Sequence, residues 1–259
     1  APRKNVSSEM LRKLFELSRF FKIGIVTGSD VGYCLEQCGQ RILSHRSMMS
    51  TRERRLLNSI DLLPCNGTKK YSLEDGSWVL KHANNMIKHL GVERYNNVVS
   101  KILMLQASLI EEAKRDFNWD VPVSGNFLSY RGSTVNWSML GRNYTQEQRK
   151  EFVLNENKDL LRSKYRDLLI DILDKETADV IDFVFGGETG LDIYPKGWDK
   201  TYALRHYKDR DIIFVGDSCK KGQNDYHIYK KLSIKNRAFS VRNTKDTLDL
   251  IDFFLKNLN

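Results

Sequence analysis

Asp211-Ile212-Ile213-Phe214-Val215-Gly216-Asp217, continued by Ser218-Cys219-Lys220-Lys221-Gly222-Gln223-Asn224-Asp225, decides how this chain is read. An unbroken apolar run between two acids is the pattern of a strand buried on both faces, and in open α/β sheets ligands gather beyond the carboxyl ends of such strands. Asp217 stands at that end, and Asp225 closes the glycine-containing loop behind it. Two carboxylates among loop carbonyls form a hard, all-oxygen pocket of the kind magnesium takes when it also holds a phosphate. The same letters also serve plain structure, with Asp217 ending a strand and Asn224 or Asp225 capping the next helix.

Outward from this stretch the α/β rhythm repeats. Downstream come a helix from Tyr226, a strand over 238–241 and an amphipathic helix over 246–258. At the other end of the chain, Ser7-Ser8 ahead of Met10, Leu11, Leu14, Phe15 and Leu17 predicts a capped amphipathic helix that feeds a strand over 23–26. Thr27-Gly28-Ser29-Asp30 separates that strand from a helix opening at Val31. Hydroxyl and glycine residues in this position serve a phosphate through free backbone N–H groups, or serve as an ordinary helix cap. A second strand over 60–63 precedes the turn Pro64-Cys65-Asn66-Gly67, and 71–80 reads as a hairpin turning at Glu74-Asp75-Gly76.

After His82 the character changes. A helix over 96–115, strands over 126–131 and 135–139 joined at Gly132-Ser133, helices from Gln146 and over 158–173, and an apolar run over 180–185 follow one another. This is a helix and antiparallel-sheet module set into an α/β domain. The expected domains are a core in two parts, 1–81 and 197–259, and an inserted cap, 82–196.

Bulk properties narrow the function. At 259 residues and 41% hydrophobic, the chain has the material for one large core or two smaller ones. No apolar run approaches a membrane span and no secretory leader opens the chain, so the expectation is a cytoplasmic protein without a membrane partner. Cys34, Cys38, Cys65 and Cys219 lack zinc spacing and suit free thiols in a reducing compartment. The net charge of +9 raises nucleic acid as a partner, yet it is spread in short groups such as Arg52-Glu53-Arg54-Arg55, with no recognisable helix-turn-helix or aromatic platform. The expectation is no nucleic-acid partner, and a field that steers a small anionic substrate. His45, His82, His89, His206 and His227 fall in no metal or nucleophile motif and receive no role. The chain opens at Ala1-Pro2-Arg3 without a methionine, which reads as processing or as a fragment.

Several cations stand where charge needs an answer. Lys200 begins a short helix after Gly197-Trp198-Asp199, opposing the helix dipole. A phosphate, Asp199 or a distant carboxylate would offset it. Thr145-Gln146-Glu147-Gln148 is a capping-box pattern that puts Arg149 near a helix start and Arg142 just ahead of it, while Arg131 ends the hairpin strand. Arginines converging on one concave face grip a phosphate bidentately; the alternative is solvated surface.

Gly186-Gly187, Asp192-Ile193-Tyr194-Pro195-Lys196-Gly197-Trp198-Asp199-Lys200, Val215-Gly216-Asp217 and Gly222-Gln223-Asn224-Asp225 together resemble the eukaryotic-type phosphomannomutase family of the haloacid dehalogenase superfamily. Arg131, Asn136, Gly141-Arg142 and Glu147-Gln148-Arg149 resemble that family's substrate-binding cap segment, and the likeness runs nearly end to end, weakest over 42–55. The resemblance implies an α/β fold, a Rossmann-like core with an inserted α+β cap. It implies conversion of mannose 6-phosphate to mannose 1-phosphate through an aspartyl-phosphate, for GDP-mannose biosynthesis, with Mg2+ and a hexose 1,6-bisphosphate activator, in a homodimer formed through the cap.

On the same resemblance, Asp217 binds the magnesium with Asp225 in support, and Lys200 neutralises the aspartyl phosphate. Thr27 and Gly28 bind phosphate; Arg131, Arg142 and Arg149 hold the distal phosphate; Asp192 binds sugar hydroxyls and Arg3 reaches the ligand from the core. Gly190 stands where the family has a substrate-touching serine, and Lys230-Lys231 stand where it places an acid for a second metal. The family's nucleophile and acid/base run, Asp-x-Asp-Gly-Thr closing the first strand, belongs immediately before Ala1 and is not in the sequence. The expectation is therefore an N-terminally incomplete phosphomannomutase, inactive as it stands. The alternatives are a sugar-phosphate phosphatase of the same superfamily and an inactive sugar-phosphate-binding protein.

Overall fold

Helix α1 (Ser8–Leu17) starts where the Ser7 hydroxyl accepts the Met10 N–H at 3.1 Å, the cap its sequence calls for. It leads into strand β1 (Ile23–Val26). Asp30 caps the next helix, α2 (Val31–Cys34), by accepting the Tyr33 N–H at 3.1 Å. The helix then widens into a π-turn over Leu35–Gly39 before α3 (Gln40–Arg46). The Trp78 indole N–H donates to the Gly39 carbonyl at 3.2 Å, a side-chain intrusion into the helical ladder of the kind that produces such irregularities. The computed structural model describes residues 5–46, 48–56 and 60–258. Arg3 lies outside the described residues.

After α4 (Thr51–Leu56), strand β2 (Ile60–Leu63) runs parallel to β1, Ile23 opposite Ile60 and Val26 opposite Leu63. All residues of β2 are buried. Strands β3 (Lys69–Glu74) and β4 (Ser77–Ala83) form the expected hairpin, its turn made by Asp75 and Gly76 at φ 46° and 84°. The sheet order is β1-β2-β3-β4, and Leu11, Ile42, Ile60 and Leu73 fill the core beneath it.

A second compact unit spans Asn84–Lys196, and the first unit comprises the chain up to Ala83 and from Gly197. The second begins with α5 (Met86–Leu90) and α6 (Val92–Phe117). Helix α6 buries Val98, Ile102, Leu105, Leu109 and Ala113, one stripe at helical spacing. Next come β5 (Leu128–Tyr130), β6 (Val135–Ser138), α7 (Gln146–Asp159), α8 (Leu161–Ile172), α9 (Lys175–Ala178), β7 (Ile181–Gly186) and β8 (Gly190–Pro195). The strands form an antiparallel sheet in the order β5-β6-β8-β7. Trp137 is fully buried and satisfies its indole N–H on Gln106 Oε1 at 2.7 Å.

The first unit resumes with a 3-10 helix over Lys200–Tyr207, then β9 (Phe214–Gly216), α10 (Tyr226–Ser233), β10 (Ala238–Ser240) and α11 (Thr244–Lys256). Strand β9 differs from its expectation of burial on both faces. Only Phe214 to Gly216 pair as a strand, only Phe214 among them is buried, and Ile213 is 43% exposed. The reason is the pairing: among the described residues β9 has β10 as its single parallel neighbour. Among the described residues no helix is long and apolar enough to cross a membrane.

Candidate functional site

In the first unit the chemistry-bearing residues meet where β1 and β9 end. Asp225 is buried at 3% exposure, and both its oxygens are engaged: Lys200 Nζ lies 2.5 Å from Oδ1, and the Ser218 N–H donates to Oδ2 at 3.1 Å. The distant carboxylate is thus the group that answers Lys200. Asp199 instead caps its own turn, accepting the Thr201 N–H at 2.7 Å and hydroxyl at 2.6 Å. Asp225 occupies the N-cap position of α10, but its side chain makes no capping bond there. Asp217 is exposed just beyond β9 and accepts the Ser218 hydroxyl at 3.2 Å.

This division of labour limits how a metal fits. Among the described residues no three His, Cys, Asp or Glu side chains cluster as a metal site. Magnesium keeps several waters and needs only one or two carboxylates beside substrate phosphates. Asp217 is an accessible oxygen donor of that kind, and Asp225 suits a supporting place behind it.

Thr27 and Gly28 follow β1. Thr27 Oγ1 accepts the Ser29 N–H at 3.2 Å, closing a tight turn. A Cβ placed on Gly28 would sit 3.3 Å from Asn224 Nδ2 and 3.4 Å from Asn66 Oδ1, so this turn lies against both the Asp225 loop and the loop after β2. That second loop is strained. Cys65, Asn66 and Gly67 are consecutive left-handed residues with φ 51°, 62° and 85°. Non-glycine residues in such positions cost about 1–3 kcal/mol each and persist where the surroundings over-determine them.

Here four bonds do so: Cys65 N–H to Ser29 O at 2.8 Å, Asn66 N–H to Thr27 O at 2.8 Å, Asn66 Nδ2 to Trp198 O at 3.3 Å, and His206 Nε2–H to Gly67 O at 2.7 Å. Gly67 also needs to lack a side chain, since a Cβ would lie 2.7 Å from Ala203 Cα. Asn66 Oδ1 is buried and has no donor among the described residues.

Sequence reasoning gave no role to Asn66 or His206. In the fold the rings of Tyr202 and His206 lie against His82 and against each other, a meeting that a 3-10 helix does not announce through spacing. Burial holds the His206 imidazole below its ordinary range. Beside this cluster, burial pushes the Asp61 carboxyl up, but Lys22, Ser72 and Tyr207 hold it below the usual carboxylate range. All four cysteines are free thiols; burial raises Cys34 to about 12 and Cys38 to about 11, which suits neither to nucleophilic chemistry.

In the second unit the three arginines are not solvated surface. Arg131 and Arg149 side chains are 8% and 16% exposed. Arg131 Nη1 lies 3.5 Å from Asp192 Oδ1, Asn136 Nδ2 donates to the same oxygen at 2.8 Å, and Arg142 Nη2 donates to Asn136 Oδ1 at 2.5 Å. Register explains the meeting: Asn136 of β6 pairs directly with Asp192 of β8. Burial raises the Asp192 carboxyl above its ordinary range, against the pull of Arg131, Asn136 and Arg142. The capping box at Thr145 is reciprocal, Gln148 N–H to Thr145 Oγ1 at 3.3 Å and Thr145 N–H to Gln148 Oε1 at 2.8 Å, and it fixes the start of α7 that carries Arg149.

Arg149 Nη2 meets Glu188 Oε2 at 2.6 Å, and the neighbouring Tyr144 and Thr189 hydroxyls lie 3.4 Å apart. The Nε–H groups of Arg142 and Arg149 are buried with no acceptor among the described residues. Gly190 opens β8 where a Cβ would overlap the Trp137 carbonyl, so no side chain fits there without moving the strands. Glu188 and Tyr144 carried no signal in the sequence.

The model of the eukaryotic phosphomannomutase family matches residues 10–257. The phosphomannomutase of Encephalitozoon cuniculi (strain GB-M1) is 31% identical over 260 residues, covering 99% of this chain and 89% of that protein. That of Spinacia oleracea is 31% identical over 251 residues, covering 96% and 88%. Among solved structures, N-terminally truncated IMP-nucleotidase of Plasmodium falciparum superposes with a TM-score of 0.57 at 13% identity, covering 100% of this chain and 67% of that one. Trehalose-6-phosphate phosphatase of Aspergillus fumigatus gives 0.50 at 13% identity, covering 98% and 85%. At these identities the structures speak for the fold alone.

Proposed function

Because this chain belongs to the eukaryotic phosphomannomutase family, we propose that its ligand is a phosphorylated hexose and that it serves the interconversion of mannose 6-phosphate and mannose 1-phosphate. Its fold is α/β, a Rossmann-like haloacid dehalogenase core with an inserted α+β cap. The observation that carries the reading is the arginine cradle. Arg131 and Arg142 meet at Asn136 and Asp192, Arg149 meets Glu188, and the buried Nε–H groups of Arg142 and Arg149 have no acceptor among the described residues. Such donors match phosphate oxygens, and Asp192 with Asn136 would orient sugar hydroxyls beside them.

Phosphoryl transfer is mostly positioning and charge neutralisation. Lys200, fixed by Asp225, would neutralise the transferring phosphoryl group, and the turn at Thr27 and Gly28 would receive its oxygens. Asp217, with Asp225 in support, would hold magnesium, which supplies further neutralisation when bound. A hexose 1,6-bisphosphate belongs to this reading as activator.

The aspartate that would carry the phosphoryl group is not among these 259 residues, which contain no Asp-x-Asp-Gly-Thr run. The alternatives to this reading are a sugar-phosphate phosphatase of the same superfamily and a protein that binds the sugar phosphate without turnover. Calorimetry with mannose 1-phosphate tests the first requirement; binding that is lost in Arg142→Ala is expected, and no heat at millimolar ligand overturns the mutase and the binding readings. A coupled assay for mannose 6-phosphate with bisphosphate present, run beside free-phosphate release, separates mutase, phosphatase and binding protein.

A further inference from the structure

Glu188 sits in the turn between β7 and β8, and nothing in the proposed chemistry uses it. Its side chain is 53% exposed, yet its carboxylate reaches a guanidinium that is only 16% exposed, with Oε2 at 2.6 Å from Arg149 Nη2. The contact is incomplete. Arg149 Nε–H, on the same side chain, is buried without an acceptor among the described residues, as is Arg142 Nε–H. A carboxylate held on a turn thus answers one donor of Arg149 and leaves another unmet. A phosphate answers donors in pairs, because the guanidinium fork matches two of its oxygens at once.

We propose that Glu188 is a built-in competitor for the phosphate grip: its carboxylate holds Arg149 until a phosphate displaces it, and it thereby sets the affinity of this unit for anionic ligands. The inference rests on the reading of Arg142 and Arg149 as that grip. The exchange is feasible because a half-exposed carboxylate returns readily to water, and ion pairs with an exposed partner are weak. The exposed acid is the mobile partner on chemical grounds. Arg149 is held in place by the capping box at the start of α7, whereas Glu188 follows Gly187, which stands at φ 65°. Glu188 also adds a negative charge beside the cradle, which repels an incoming phosphate even when the side chain has moved aside.

The test is calorimetric titration of the whole chain with inorganic phosphate and with mannose 1-phosphate, for the unaltered protein, Glu188→Gln, Arg149→Ala and the double variant. Glu188→Gln is expected to tighten both ligands about two- to fivefold, the range that corresponds to the strength of a partly exposed pair. In the Arg149→Ala background the same substitution is expected to have a much smaller effect, because the contact being relieved is gone. Unchanged or weaker binding by Glu188→Gln, with the unaltered protein still binding, overturns the proposal and leaves the phosphate grip standing. An equal gain in both backgrounds also overturns it, assigning the effect to general charge. If the unaltered protein and all variants fail to bind either ligand, the grip itself falls and this proposal with it. Thermal denaturation of each variant separates lost binding from lost fold.

Discussion

Breaking the Lys200–Asp225 pair is expected to destabilise the first unit more than any surface ion pair in the chain. The side chains are 12% and 4% exposed and the atoms are 2.5 Å apart, whereas a pair such as Arg12–Glu16 has 62% and 33% exposure. Removing one partner of a buried pair leaves an uncompensated charge and costs about 3–5 kcal/mol, while an exposed pair is worth about 0–1 kcal/mol. Lys200→Met strands the Asp225 carboxylate with one remaining donor, the Ser218 N–H at 3.1 Å. Asp225→Asn strands the ammonium and leaves a single acceptor oxygen to serve Ser218.

Allowing for the residual solvent at Lys200, each single change should cost about 2–4 kcal/mol, or roughly 4–15 °C in Tm for a chain of this size. The double variant removes both charges and lets Asn accept from Ser218, so its cost should fall short of the sum by at least about 2 kcal/mol. Urea unfolding followed by circular dichroism measures all four stabilities. Additive single effects below about 1 kcal/mol would refute the reasoning, since they would mean that water already serves both groups.

Four further outcomes follow from the same structure. His206 titrates below its ordinary 6.5 in the fold because it is buried, so the unfolded chain takes the proton more readily; stability is full above pH 6.5 and falls as the pH drops through the folded value. His206→Gln should flatten that part of the curve between pH 7 and 5 in urea unfolding, about the window set by an ordinary histidine, and an unchanged slope would count against it. Gly67→Ala should lower Tm through a left-handed alanine worth about 1–2 kcal/mol and a collision with Ala203; a Tm equal to the parent's would contradict it. Trp137→Phe removes a buried donor from Gln106 and should cost about 1–3 kcal/mol by thermal unfolding. Gly190→Ser would push β6 from β8 and should cost about 1–3 kcal/mol; a neutral result would show that the strands can separate there.

Local chemistry was legible wherever a few adjacent residues decide it. Ser7 caps α1, Asp30 caps α2, Thr145 and Gln148 cap α7, and Asp75-Gly76 turns the hairpin, each as its letters require. Helix α11 starts earlier than expected because Asn243, not a later residue, accepts the Asp246 N–H. Strand β8 was not anticipated as a strand, for Gly190 and Pro195 at its ends hide its alternation and only its register against β6 and β7 defines it.

The candidate site divides along the same line. That Lys200, Asp217, Asp225, Arg131, Arg142, Arg149 and Asp192 carry charge in need of an answer, and that they resemble a family's motif, is a property of the chain as written. Which group answers each one is not. Lys200 finds Asp225 at a separation of 25 residues, and Asn136 reaches Asp192 across 56. Such pairings depend on sheet register and loop closure rather than on neighbouring letters.

The strained loop at Cys65, Asn66 and Gly67 shows the limit most clearly, because its left-handed backbone is stabilised by partners at Thr27, Ser29, Trp198 and His206. The sequence by itself determined the helix caps, the hairpin turn, the fold class and the family. Only the tertiary structure decided that Asp225 is spent on Lys200 while Asp217 stays accessible, and that Glu188 already occupies Arg149. Propensity acts over a few residues, whereas the burial of a charge depends on every segment packed around it.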